Sequence, residues 1–334
     1  MKFFCVIPLL PTVLAWVVPE GGKINIPAIN KVTDGLFSVV EDPSGKRGTT
    51  VLKARTRGKN VNLYFAIDGL LQEERPGNGG FRLLTYESDE HAIDDAVRLA
   101  KGMSRKHDMF RTGFSGAKLV CKVDDISTID RKELMEDTAK ALEALNGSVY
   151  TGCDLNTGDK DMDYLTSATR NKYVLAGRNS MVDTNIATAA SVIGSILGVC
   201  EAYEEDISKL TFTVQGCGKV GGIVARELLS LGAKCVNTCD IVTEAADIQG
   251  CTQIKDWSST PCDFLVPCAN SLAITESVAS NFPEGIRYCV GATNSPYANS
   301  NARNIFDSRG VVHIPESISS AGAILADSVE VRFL

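Results

Sequence analysis

The sequence predicts an α/β protein of two domains, and three observations predict it. Its 334 residues exceed what one hydrophobic core ordinarily organises and suffice for two. Apolar segments of strand length alternate with segments of helical periodicity along most of the chain. Three glycines, Gly216, Gly218 and Gly221, stand at the turn between one such strand and one such helix. The bulk composition agrees: 44% hydrophobic and 22% charged, as in an ordinary globular chain.

Taken in order, the first nineteen residues read differently from the rest. One basic residue, Lys2, precedes an apolar run from Phe3 to Leu14, and Ala15 follows. That is the pattern of a secretory signal, too short for a membrane span and interrupted by Pro8 and Pro11. Residues 1–19 are therefore expected to be a targeting segment, with no membrane association of the mature chain. The junction Ala15-Trp16-Val17-Val18-Pro19 resembles the cleavage motif of two-part algal plastid-targeting signals, so entry to the secretory route or a plastid is expected, and the cytoplasm if the segment stays on.

An amino-terminal α/β domain is expected over 20–180. Asn60–Asp68 and Phe81–Thr85 read as strands, separated by the turn-rich Arg75-Pro76-Gly77-Asn78-Gly79-Gly80. Ser88 can cap a helix in which Ala92, Ala96, Leu99, Ala100 and Met103 recur at helical spacing. Ala117–Val123 reads as a strand, Asp130–Leu145 as a helix stopped by Asn146-Gly147, and Tyr150–Cys153 as a short strand leading into Asp154. The second domain, 181–334, opens on a long helix, Thr184–Ala202, expected to connect the two. Strands at Thr211–Gln215, Lys234–Cys239, Phe264–Pro267, Tyr288–Val290 and Val311–Ile314 follow, with a helix over Val220–Leu231.

The net charge of −7 and the scatter of Lys and Arg among acids argue against a nucleic-acid partner and for a small-molecule substrate. Eleven cysteines show no CxxC pair, and the three histidines lie far apart, which argues against a metal site. Cys121, Cys200, Cys235, Cys268 and Cys289 sit in apolar runs and are expected as small core residues.

Gly216-Cys217-Gly218-Lys219-Val220-Gly221 has GxGxxG spacing. Such glycines allow a tight turn, close approach of a pyrophosphate and close helix–strand packing, and the helix amino terminus offers N–H groups to phosphate. Asp240 follows nineteen residues after Gly221, at the end of the next strand. An acid there accepts hydrogen bonds from the adenosine ribose and repels a 2′-phosphate, so NAD is favoured over NADP. The carboxy-terminal domain is thus expected to be a Rossmann dinucleotide-binding domain.

Several short motifs in one order resemble the Glu/Leu/Phe/Val amino-acid dehydrogenase family, most closely its leucine-, phenylalanine- and tryptophan-type members. Gly79-Gly80 with Arg82 looks like the glycine-rich substrate loop, Asp94 to Lys106 like the first lysine helix, and Gly116-Ala117-Lys118 like the segment bearing the second lysine. Asn146 to Asp154 matches the segment that delivers an aspartate. Pro267-Cys268-Ala269, Gly291-Ala292-Thr293-Asn294 and Pro315-Glu316 with Ala321-Gly322 match in turn. The resemblance implies reversible, NAD-dependent oxidative deamination of an apolar L-amino acid in a cleft between domains, by a homo-oligomer.

It also implies roles. Lys106 would hold the substrate carboxylate, with Gly79, Gly80 and Met103 along the same wall. Lys118 would activate the water that attacks the imine, and Asp154 would carry protons to and from the amino nitrogen. Two lysines in one cleft have a physical purpose, since burial and a neighbouring cation both lower the amine's pKa. Gly216, Gly218, Lys219, Val220, Gly221, Asp240, Thr188, Cys268, Ala269 and Asn294 would bind the cofactor. Cys153, beside Asp154, has no histidine to activate it and is expected as a packed thiol.

The chain departs from the family pattern at Ser115 and Ala117, usually glycines, at Asn270-Ser271, and at Ser320, usually Asn. Family members also continue past the point corresponding to Leu334, which leaves an alternative open: a catalytically impaired NAD-binding relative with a regulatory or assembly role. A dehydrogenase of 2-hydroxy acids would need a histidine beside an arginine, and His91, His107 and His313 have no such partner in the sequence.

Overall fold

A computed structural model describes residues 35–40, 48–68, 75–170, 173–175 and 183–330; the expected targeting segment, 1–19, lies outside them. The chain divides into two units, Met1–Arg178 and Asn179–Leu334.

The first unit is built on β1 (Phe37–Val39), β2 (Thr49–Ala54), β3 (Asn62–Asp68), β4 (Gly77–Asn78), β5 (Phe81–Thr85), β6 (Ser115–Val123) and β7 (Val149–Tyr150). They form one sheet in the order β1-β2-β3-β6-β4-β7, with β5 also paired to β6. β1, β2, β3 and β6 run antiparallel in succession, whereas β4 and β5 lie parallel to β6. Strand β6 is the axis of this sheet, nearly all of it buried.

Helix α1 (Asp89–Phe110) covers one face. Ser88 caps it by accepting from the His91 N–H at 3.1 Å, and Asp89 and Glu90 sit favourably in its first turn. Its Ala92, Ile93, Ala96, Val97 and Ala100 pack on Tyr64, Ala66 and Val120. Helices α2 (Arg131–Leu145) and α3 (Asp159–Ala168) cover the other face, through Leu134, Met135, Leu142, Met162 and Leu165. Asp130 caps α2, and Asn146 ends it in the left-handed conformation.

Three differences from the sequence reading concern pairing. β1 and β2 carry no strong strand signal, and Gly77–Asn78 lies where a turn is expected. Gly77–Asn78 becomes a strand because it is held between Ser115-Gly116 and Val149-Tyr150. The expected strand Tyr150–Cys153 is shorter, with single bridges from Thr151 to Val174 and from Cys153 to Phe81.

The second unit contains α4 (Thr184–Ala202), β8 (Thr211–Gln215), α5 (Gly221–Ser230), β9 (Cys235–Cys239), α6 (Thr243–Ala246), β10 (Thr252–Gln253), β11 (Phe264–Pro267), α7 (Glu276–Asn281), β12 (Tyr288–Cys289), α8 (Ser300–Ser308), β13 (Val312–His313), α9 (Glu316–Ser319) and α10 (Gly322–Glu330). Its sheet is wholly parallel in the order β10-β9-β8-β11-β12-β13. This is the doubly wound Rossmann arrangement, whose winding reverses between β8 and β11. Phe212, Val214, Phe264 and Val266 are fully buried, as expected for central strands covered on both faces.

Helix α4 is expected as the connection between domains, and the structure seats it in this second core. Ala189, Val192, Ile196 and Val199 are buried in it, against α5, α9 and α10. By length and composition alone α4 could cross a bilayer. Packing at Gly322 makes it a helix of this unit, since a Cβ there would come within 1.8 Å of the Ala187 carbonyl oxygen.

Candidate active site

In the first unit the chain crosses from β4 to β5 at Gly79-Gly80. A Cβ on Gly79 would lie 1.6 Å from the Ala117 carbonyl oxygen, so only glycine allows the crossing over β6. A Cβ on Gly80 would point at the Asp154 Cβ (2.9 Å) and the Lys118 Nζ (3.3 Å). Gly80 therefore faces the two expected reactive side chains, while Gly79 faces the backbone of β6.

Lys118 occupies the middle of β6, opposite Ala66 on β3, and is only 6% exposed. Asp154 reaches it from the loop after β7. That loop is tied to β5: Phe81 N–H donates to the Gly152 carbonyl at 2.8 Å, Leu83 N–H to Leu155 at 3.0 Å, and Thr157 Oγ1 to the Phe81 carbonyl at 2.6 Å. Asp154 N–H donates to Thr157 Oγ1 at 2.9 Å. Asp154 does not cap α3; Gly158 stands at the amino terminus of that helix and donates its N–H to Asp161 Oδ2 at 3.0 Å.

These constraints bring Lys118 Nζ to 2.6 Å from Asp154 Oδ2. Arg82, on β5, donates from Nε to that same oxygen at 2.8 Å. Its Nη1 donates to Asp95 Oδ2 at 3.0 Å, and the Tyr86 hydroxyl donates to Asp95 Oδ2 at 2.8 Å. Arg98 donates to Asp95 Oδ1 at 2.5 Å from the outer side of α1.

The electrostatics follow from this geometry. Burial lowers the Lys118 pKa below the ordinary lysine value; Asp154 opposes that shift and Arg82 adds to it. Burial would raise the Asp154 carboxyl, but Lys118 and Arg82 outweigh it and hold it at about 2. The site thus sets an ionised acid against an amine that holds its proton less firmly than an ordinary lysine.

Met103 and Lys106 lie half-buried in the last part of α1. Ser104, between them, pins the helix to β6, its Oγ accepting from the Gly116 N–H at 3.0 Å. A Cβ on Gly116 would meet the Ala100 carbonyl oxygen at 2.0 Å, so the helix–strand approach here requires that glycine. Cys153 departs from expectation: it is exposed, while its backbone bridges to Phe81. Cys121, Cys200 and Cys289 are buried thiols, whereas Cys235 and Cys268 are only half-buried at strand ends.

In the second unit Gly216 leaves β8 with φ +89°, and its N–H donates to the Cys239 carbonyl at 2.8 Å. A Cβ on Gly216 would fall 2.5 Å from the Ala269 Cβ, and one on Gly221 would fall 1.9 Å from the Gly216 carbonyl oxygen and 3.0 Å from the Cys268 Cβ. At Gly218 nothing lies within 4 Å. Gly216 and Gly221 are thus glycines for packing, and Gly218 for open approach from outside. Gly218 and Lys219 are exposed and Val220 is half-buried, immediately before the first turn of α5. This loop fits a dinucleotide pyrophosphate.

Asp240 steadies the same loop. Its Oδ2 accepts from the Cys217 N–H at 2.7 Å and its Oδ1 from the Val242 N–H at 2.9 Å. Each oxygen retains a further lone-pair direction for a ribose hydroxyl. Across the winding reversal, Cys268 N–H donates to the Gln215 carbonyl at 2.7 Å, and Thr293 Oγ1 to the Ala269 carbonyl at 3.1 Å. Ala269 and Asn294 are exposed beside them. Thr188, half-buried on α4, lies where α10 begins, 2.7 Å from where a Gly322 Cβ would be.

Two features escape a sequence reading. Ser319 Oγ donates to the Gly291 carbonyl at 2.6 Å while Ser191 Oγ donates to the Ser319 carbonyl at 2.8 Å, linking α4, α9 and the strand-end loop. The neighbouring Ser320 turns its hydroxyl back on the Glu316 carbonyl at 2.6 Å. The other is the Arg82–Asp95 pair, which joins a strand to a helix; its one signal in the sequence is an arginine two residues beyond Gly80.

Comparisons with known proteins match both halves of this description. A family model for the Glu/Leu/Phe/Val dehydrogenase dimerisation domain matches residues 71–171, and one for Glutamate/Leucine/Phenylalanine/Valine dehydrogenase matches residues 239–332, together more than half the chain. The chain belongs to the Glu/Leu/Phe/Val dehydrogenase family. Enzymes of this family are oxidoreductases of amino acids that use a nicotinamide dinucleotide. Among similar members, phenylalanine dehydrogenase of Lysinibacillus sphaericus is 27% identical over 266 residues, covering 75% of this chain and 68% of its own. Leucine dehydrogenase of Bacillus subtilis is 27% identical over 261 residues, covering 75% and 70%. The crystal structure of L-tryptophan dehydrogenase from Nostoc punctiforme shares the fold, with a TM-score of 0.67 at 23% identity over 84% of this chain and 81% of that one.

Proposed function

We propose that this member of the family catalyses the reversible, NAD-dependent oxidative deamination of an apolar L-amino acid to its 2-oxo acid and ammonia. The observation that carries the reading is the Lys118–Asp154 pair, 2.6 Å apart, packed against Gly80, where any side chain would crowd both groups. When bound, NAD supplies the acceptor for the electrons and hydrogen lost from the substrate Cα. This chain's residues do the rest. Lys106 pairs with the substrate carboxylate, and Met103 and Gly79-Gly80 form the wall on which it lies. Asp154, held ionised, takes a proton from the substrate ammonium. Lys118, with its lowered pKa, takes a proton from the water that attacks the imine carbon, and returns it as ammonia leaves.

Asp240 supports NAD over NADP. Its carboxylate is held at the end of β9 by the Cys217 and Val242 N–H groups, an acid after this strand repels a 2′-phosphate, and the residues after it, Ile241 and Val242, are exposed and uncharged. The phenylalanine and leucine dehydrogenases among the similar proteins support an apolar substrate. The match to a dimerisation domain over 71–171 supports a homo-oligomer.

The test is an absorbance assay of NADH formation with a panel of L-amino acids at alkaline pH, on wild type and Lys118→Met. Apolar amino acids should support turnover and glutamate should not. Lys118→Met should lower kcat/KM by about 100-fold or more, the span of a lost general base, with NAD affinity by calorimetry unchanged. Absence of turnover with every apolar amino acid, or a variant within about tenfold of wild type, overturns the reading.

A further inference from the structure

Asp154 is engaged from two sides through one oxygen. Lys118 Nζ approaches Oδ2 at 2.6 Å and Arg82 Nε at 2.8 Å. Arg82 is itself half-buried, its side chain 12% exposed, and is held from behind by Asp95, also 12% exposed. Asp95 is in turn anchored by Tyr86 and Arg98. The result is a linear relay of alternating charge, Arg98–Asp95–Arg82–Asp154–Lys118, running from the exposed edge of α1 across β5 to the centre of β6.

We propose that Arg82, set by Asp95, is a positioning residue that clamps the Asp154 carboxylate onto the Lys118 amine, and that Asp95 governs how much of the Arg82 charge the pair feels. The proposal rests on the reading of Lys118 and Asp154 as the reacting groups. Its physical content is that a carboxylate with free rotation could turn away from Lys118, whereas one tied through Nε by a guanidinium on a rigid strand cannot.

The charged groups facing Lys118 set the expected directions. Strand β5 offers Arg82, the loop after β7 offers Asp154, and α1 offers Asp95 with Arg98 beyond it. Tyr86 follows β5, β3 presents Ala66 opposite Lys118, and the β4–β5 crossing presents Gly80. Arg82 favours the neutral amine, and Asp95 favours the charged one. Loss of Arg82 should therefore raise the Lys118 pKa. Loss of the Asp95 charge, which leaves Arg82 uncompensated, should lower it.

The test is the pH profile of kcat/KM for wild type, Arg82→Met, Arg82→Lys and Asp95→Asn. Arg82→Met should lose about tenfold or more at pH 8, with its rising limb displaced to higher pH, and Arg82→Lys should recover part of both. Asp95→Asn, a near-isosteric change that keeps the packing, should displace the limb to lower pH. A purely structural role would lower kcat without moving either limb; unmoved limbs overturn the proposal, as do limbs that move the same way. The 15N resonance of the Lys118 amine, assigned by its loss in Lys118→Met, reads the same two displacements without turnover. An inactive wild type would overturn the proposed function, and opposite displacements of that resonance would still uphold the clamp.

Discussion

Replacing Asp154 by Asn keeps its shape and removes its charge from between a buried cation, Lys118, and a half-buried one, Arg82. The distances set the scale. At 2.6 Å and 2.8 Å, and an effective dielectric of about 20, the Lys118 and Arg82 attractions are each about 6 kcal/mol before desolvation. Arg82 keeps a second partner in Asp95 at 3.0 Å, so Lys118 is the cation left without a counter-charge. Breaking one side of a buried pair costs about 3–5 kcal/mol, and Asp154 retains 24% side-chain exposure, which places this variant near the lower end. We expect a deficit of about 3 kcal/mol at pH 7.

The deficit should depend on pH with a definite sign. Without Asp154 the folded-state pKa of Lys118 falls further below the ordinary value that the unfolded chain keeps. In the interval between the variant's Lys118 pKa and that of the wild type, unfolding takes up a proton in the variant only, so raising the pH favours the folded variant. The deficit is largest below that interval, shrinks through it by about 1.4 kcal/mol per pH unit, and is constant above. Because wild-type Lys118 is itself lowered, the whole interval lies beneath the ordinary lysine range. Urea denaturation followed by circular dichroism across pH 6–10 measures it. A deficit below about 1 kcal/mol, or one that grows with pH, would refute the reasoning.

Three further variants separate the glycines and the acid of the second unit. Gly221→Ala drives a Cβ to 1.9 Å from the Gly216 carbonyl oxygen and should both lower the melting temperature and weaken NAD binding. Gly218→Ala meets nothing within 4 Å, so it should leave the melting temperature unchanged yet weaken NAD binding about tenfold by calorimetry, because the methyl occupies the pyrophosphate approach. Asp240→Ser, which keeps a hydroxyl near the Cys217 N–H and removes the negative charge, should lower the ratio of kcat/KM for NAD over NADP by about tenfold or more. An unchanged ratio would remove Asp240 from cofactor choice.

Much of this molecule is written locally. Ser88 as a cap, Asn146 as a stop and the apolar spacing of α1 depend on residues three or four apart, and the structure places them as expected, while Asp130, expected as the first residue of α2, caps it instead. The GxGxxG turn is equally local, because a strand, a tight turn and a helix start are all decided within a dozen residues. Strands β1, β2 and β4 were not legible, since their conformation comes from partners rather than from their own side chains. Gly77–Asn78 is a strand only between Ser115-Gly116 and Val149-Tyr150.

The two-domain α/β class and the dinucleotide loop follow from residue types and their spacing, and Lys118 and Asp154 are candidates through the family resemblance. That one oxygen of Asp154 serves both Lys118 and Arg82 emerges only when the chain folds. Arg82 and Asp154 stand 72 residues apart, and no periodicity links them. Their meeting depends on β5 pairing with β6 and on the Asp154 loop being sewn to β5, and burial at the centre of that sheet gives the pair its chemistry.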